Sequence, residues 1–168
     1  MVISSGCVKQ AIKSQYESQE TTISKLATSL RGLRTQYQNG VVRVVMKEGT
    51  SADSLSATGV VSFYYAQYIL ASSVNNSNLV ATNNREALGN TWKVTEEEGE
   101  DAFKIVTLKM DEADLIDGLK YGLLGVKTGE ECYILFSGKY GFGKSASGTI
   151  PARSGLVYHI WVDSISNE

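Results

Sequence analysis

The sequence predicts an α+β fold: an antiparallel β-sheet, one short helix beside it, and a longer amphipathic helix ahead of it. Three observations predict it. Runs rich in β-branched and aromatic residues recur between turn signals, at 41–46, 60–70, 103–106, 132–136 and 156–162. A single short helical stripe, Leu115, Ile116, Leu119 and Leu123, is set among these strands instead of alternating with them. Glycine occurs 16 times and proline once, which suits a turn-rich β protein with no internal repeat.

The bulk figures narrow the function. A chain of 168 residues can bury one sizeable core. A net charge of −2 gives no basis for nucleic-acid binding or for attraction to an anionic membrane. No apolar run is long enough to span a bilayer. The two cysteines, Cys7 and Cys132, and the single His159 have no metal-ligand spacing, so the sequence asks for no cofactor. Cys132 falls in an apolar strand, where a small buried thiol is expected.

Residues 1–13 read as a tail. Ser4-Ser5-Gly6-Cys7 is similar to the end of a bacterial lipoprotein signal, in which the cysteine carries the lipid. The charged and apolar regions that should precede such a cysteine are absent, and an accidental match is the alternative. Ser14 and Glu17 suggest a capping box for a helix over 14–33, with Ile23, Leu26, Ala27, Leu30 and Leu33 as one apolar stripe. That stripe can pack on the β domain or form a weak dimer contact between two copies. Residues 36–39 read as a linker closed by the Asn39-Gly40 turn signal, so the division expected is 1–38, tail and helix, and 39–168, the β domain.

Within the β domain, Val61, Phe63 and Tyr65 alternate onto one face of the second strand. Residues 92–94 and 103–106 are expected to pair as a hairpin whose acidic tip is 96–101. Asp114 is expected to cap the short helix, and Gly122 and Gly125 to stop it. A loop of small residues from 137 to 155 leads to the last strand. His159, set among alternating apolar residues, reads as structural.

The joint occurrence of Leu115-Ile116-Asp117-Gly118-Leu119, Gly122-Leu123-Leu124-Gly125, Tyr140-Gly141-Phe142-Gly143 and Ile150-Pro151-Ala152 resembles FKBP-type peptidyl-prolyl isomerases. The resemblance runs from Asp114 to Ile165 and, more weakly, back to Gly40. It implies a curved sheet wrapped around the short helix, with a pocket between them. It implies proline-containing polypeptide clients, a macrolide as a second ligand class, and a place in the bacterial envelope on the periplasmic side, with the cytoplasm as the alternative.

The resemblance also assigns residues. Tyr65, Phe103, Ile116, Phe142 and Tyr158 stand at catalytic positions, Ile116 through its backbone amide. Val80, Ala81, Ile105, Leu115, Leu119 and Ile150 stand at substrate-binding positions. Three departures matter. Ala81 replaces an aspartate, Leu119 a tryptophan, and Phe142 a tyrosine. These substitutions leave two functional expectations, a slow isomerase or a non-catalytic peptide-binding module of the envelope.

One motif is refused. Gly138-Lys139-Tyr140-Gly141-Phe142-Gly143-Lys144-Ser145 fits a phosphate-binding loop letter for letter. Phosphate binding needs a helix beginning at the lysine, and Gly148 and Pro151 forbid a stable one.

Overall fold

The computed structural model describes residues 5–88 and 99–168. It begins with a long helix, α1 (Ser5–Ser29). Residues 5–13, expected as a tail, continue this helix, because Val8, Ile12 and Tyr16 extend the same stripe and nothing after Gly6 breaks it. Ser14 therefore sits mid-helix and caps nothing. Leu33 lies beyond the helix end and is 68% exposed, so it leaves the stripe.

The sheet follows. β1 (Arg34–Gln38) and β2 (Val41–Lys47) form an antiparallel hairpin across Asn39-Gly40. Both turn residues have positive φ, 51° and 84°, which is the twist a two-residue hairpin needs. The expected linker is therefore an edge strand. β3 (Val60–Ile69) runs through the middle, β4 (Leu79–Thr82) pairs with its far half, and β5 (Val106–Lys109) with its near half. β6 (Glu131–Phe136) and β7 (Leu156–Ser166) complete the order β1-β2-β6-β7-β3-β4, all antiparallel.

Two short helices are added. α2 (Arg85–Leu88) follows β4. α3 (Asp117–Leu123) lies against the inner face of the sheet. Its N-cap is Ile116, with no side-chain cap, so Asp114 does not serve as expected. Gly122 is inside α3, and Gly125, at φ 86°, ends it. A Cβ on Gly118 would run into the Phe136 ring and one on Gly122 into Ile134, so these two glycines let the helix lie close on β6.

The sheet divides two cores. Inside, α3 covers Val61, Phe63, Ile134, Phe136, Tyr158 and Ile160. Outside, α1 brings Ile23, Leu26 and Ala27 onto Val42, Val44, Leu135 and Val157. A strand expected at 103–106 is instead a 3₁₀ turn over Glu100–Phe103 followed by β5. The hairpin partner 92–94 and residues 96–98 of the acidic tip lie outside the described residues. Within the refused phosphate loop, Gly138–Tyr140 forms a three-residue 3₁₀ turn, and no helix begins at Lys144.

Candidate functional site

Between α3 and the inner face of the sheet lies a cavity of about 200 Å³. Phe63, Tyr65 and Gln67 of β3, Val106 and Leu108 of β5, Leu115 and Leu119 at α3, and Tyr158 of β7 line it. Period-two alternation puts Phe63, Tyr65 and Gln67 on this face together. The aromatic wall is continuous: the Tyr65 ring stands 6.4 Å from Phe63 and 6.3 Å from Tyr158, and Tyr158 stacks on Phe136 at 5.9 Å.

Polar groups are few. Gln67 Nε2 donates to the Tyr158 hydroxyl at 2.5 Å. Burial pushes the Tyr158 phenol well above its ordinary value, although the Gln67 donor works the other way. Burial also raises Tyr65, whose hydroxyl has no hydrogen-bond partner among the described residues. The Ile116 amide, at the start of α3, likewise finds no acceptor among them. The site therefore offers the Tyr65 hydroxyl in an apolar hollow and the Ile116 amide next to the lining residue Leu115, with no acid–base pair and no group of His, Cys, Asp or Glu among the described residues that could hold a metal.

α3 is held from behind. Arg43, only 3% exposed, donates through Nη1 to the carbonyls of Gly122 at 2.9 Å and Leu124 at 2.7 Å. Gln38 Nε2 donates to the Tyr121 carbonyl at 3.0 Å. The buried Glu130 carboxylate lies 3.6 Å from Arg43 Nε. Burial raises the Glu130 pKa, against the pull of Arg43 and Arg34.

Of the residues expected at the site, Tyr65, Leu115, Leu119 and Tyr158 line the cavity. Val80, Ile116, Phe142 and Ile150 join the same inner core around it. Ala81 faces Gln67 across the β3–β4 pair and carries no carboxylate to the pocket. Phe103 does not belong. It packs with the outer core, where the Arg85 guanidinium sits 4.2 Å from its ring. Ile105, just before β5, joins neither core. Pairing of Phe63 with Val106 and Val61 with Leu108 puts those two residues where Phe103 and Ile105 were expected. Sequence reading missed Val106, Leu108, Gln67 and Arg43. The alternation from Tyr65 was a signal for Gln67.

His159 is satisfied on the outer face, 2.8 Å from Glu131 and stacked between Tyr133 at 4.1 Å and Trp161 at 3.7 Å.

The site is thus an apolar cavity between a curved antiparallel sheet and the short helix in its hollow. Residues 89–163 match the family described as FKBP-type peptidyl-prolyl cis-trans isomerase. The match covers a little under half of the chain, and the fold around it is FKBP-like.

Solved structures agree on the fold. The chain is similar to the N-terminal domain of FKBP42 from Arabidopsis thaliana, with TM-score 0.57 and 17% identity over 80% of this chain and 93% of that one. It is similar to the three FKBP domains of wheat FKBP73, with TM-score 0.58 and 18% identity over 79% and 48%. It is similar to FkpA from Escherichia coli, with TM-score 0.61 and 14% identity over 94% and 64%. No curated protein matches the chain significantly.

Proposed function

We propose that the protein is a peptidyl-prolyl cis-trans isomerase acting on X-Pro bonds in unfolded or extended segments. One observation carries this reading: an apolar cavity walled by Tyr65, whose hydroxyl is unengaged among the described residues, and by Tyr158, and floored by Leu119. Rotation about the amide costs about 18–20 kcal/mol because resonance is lost in the twisted state. No bond to the protein is required. A dry hollow holds the prolyl ring, while the Ile116 amide and the Tyr65 hydroxyl donate to carbonyls on either side of the bond. Donors placed to fit the twisted amide better than the planar one lower the barrier, by tenfold in rate for about every 1.36 kcal/mol.

The reaction is slow on this reading. Leu119 gives a smaller floor than a tryptophan, Phe142 has no hydroxyl, and Ala81 no carboxylate. A macrolide would compete for the same hollow. A second reading is favoured by the Gln67–Tyr158 bond, which occupies a polar group that could otherwise face substrate. It is a non-catalytic peptide-binding or chaperone module of the bacterial envelope.

Envelope placement and a lipid on Cys7 are proposals of the same kind. Cys7 is exposed on α1. Membrane fractionation of Cys7→Ser against the wild type tests the lipid. A monomer, or a weak dimer through the exposed part of α1, fits the helix, and sedimentation distinguishes them.

The experiment for the main reading is cis/trans exchange of a proline peptide. Acceleration abolished by Tyr65→Ala and Ile116→Gly supports the isomerase. Peptide binding lost in Tyr65→Ala, with no acceleration by the wild type, supports the binding module. Acceleration unchanged in both variants contradicts the site.

A further inference from the structure

We propose that Gln19 of α1 is a positioning residue for the loop that carries Phe142 and Ile150 beside the pocket. Its side-chain amide bonds both ends of that loop at once. Oε1 accepts from the Gly138 amide at 2.8 Å, and Nε2 donates to the Arg153 carbonyl at 2.7 Å. Between these anchors the chain leaves β6, passes Phe142 and Ile150, and returns to β7.

The neck of the loop is narrow. The Arg153 amide donates to the Gly143 carbonyl at 2.6 Å, and Gly143 in turn donates to Gly138 at 3.2 Å. A Cβ on Gly138 would run into the Arg153 backbone. Gln19 is half-buried at this neck, on the stripe between Tyr16 and Ile23. Its chemistry is specific. A glutamine has an acceptor and a donor on one planar group. Glutamate keeps the acceptor and loses the donor, and leucine has neither.

The consequence reaches across the sheet. α1 covers the outer face and lies outside the matched family region, whereas the pocket is on the inner face. Gln19 joins the two around the sheet's end, so the seating of α1 sets the position of Phe142 and Ile150. The inference rests on the reading of Phe142 as a catalytic and Ile150 as a substrate-binding position.

The test compares the full-length wild type with Gln19→Leu and Gln19→Glu. Amide hydrogen exchange and proline-peptide kinetics are measured for each. In Gln19→Leu the Gly138 amide should exchange at least about tenfold faster while amides of β3 and β7 keep their protection. Gln19→Glu should restore part of the protection at Gly138. The proline-peptide KM should rise about three- to tenfold in Gln19→Leu, with kcat much less changed. Wild-type exchange at Gly138 and wild-type KM in Gln19→Leu would overturn the proposal, as would equal loss of protection throughout the sheet. Should Gln19→Leu not fold, Gln19→Glu decides, since it alone must loosen Arg153 and keep Gly138 protected. A wild type without isomerase activity removes the isomerase reading, and the exchange data then judge the positioning role alone.

Discussion

Gln67 Nε2 donates to the Tyr158 hydroxyl at 2.5 Å, linking β3 to β7 across the pocket wall. Both residues are buried, Gln67 at 8% and Tyr158 at 6% exposure. Gln67→Leu leaves the phenol hydroxyl unpaired and should cost about 1–3 kcal/mol, read by urea unfolding. Adding Tyr158→Phe removes the orphan, so the double variant should be more stable than Gln67→Leu alone. Strict additivity of the two single changes would show that the bond carries no coupling.

Phe142 stands in the inner core where the resembling family has a tyrosine. Phe142→Tyr supplies a hydroxyl for a substrate carbonyl. A hydrogen bond worth about 0.5–1.5 kcal/mol should raise kcat/KM by about two- to tenfold. The measurement is peptide isomerisation, and no gain would place the 142 side chain away from the reacting bond.

Gly118 lets α3 rest on Phe136, and an added methyl would meet that ring. Gly118→Ala gains about 1 kcal/mol in helix propensity but forces the helix off the sheet. Overpacking typically costs about 1–3 kcal/mol, so net stability should fall or at best hold, and peptide affinity should drop because Leu119 moves with the helix. Unchanged affinity, measured by titration calorimetry, would argue against α3 as the pocket floor.

His159 is half-buried on the outer face, and loss of solvent there lowers its pKa below the ordinary 6.5 in spite of the Glu131 hydrogen bond. The native ring is therefore neutral where the unfolded chain would bind a proton. That contribution is present above about pH 6.5 and is lost as pH falls through that value toward the folded pKa. Unfolding free energy should decline between pH 7 and 5, and His159→Gln should flatten the decline. An identical slope in the variant would assign the effect to other groups.

Much of this was legible in the sequence because local patterns carried it. The Asn39-Gly40 turn, the alternation of β3 and the Gly125 stop of α3 each had a mechanism readable residue by residue, whereas the close approach of Gly118 and Gly122 to β6 did not. Register between distant strands did not. Phe103 and Ile105 share the spacing of two shown by Val106 and Leu108, but the offset is three, an odd number. An odd slip sends a side chain to the opposite face, and Phe103 packs outside under Arg85. The length of α1 was missed for another reason: Val8, Ile12 and Tyr16 continue the stripe at helical spacing, but the buried contacts of α1 are confined to Ile23, Leu26 and Ala27. Arg43 looked like one more strand residue, because its bonds go to carbonyls of a helix far along the chain.

The central claim is that a prolyl ring enters the hollow between Tyr65, Leu119 and Tyr158. Exchange and NOE spectroscopy on a short proline peptide, mixed with the protein, tests it most directly. Faster cis/trans exchange, with NOEs from the prolyl ring to the Tyr65 and Tyr158 ring protons, is the result expected. A peptide that exchanges at its free rate and shows NOEs only to the outer face, or none, would contradict it.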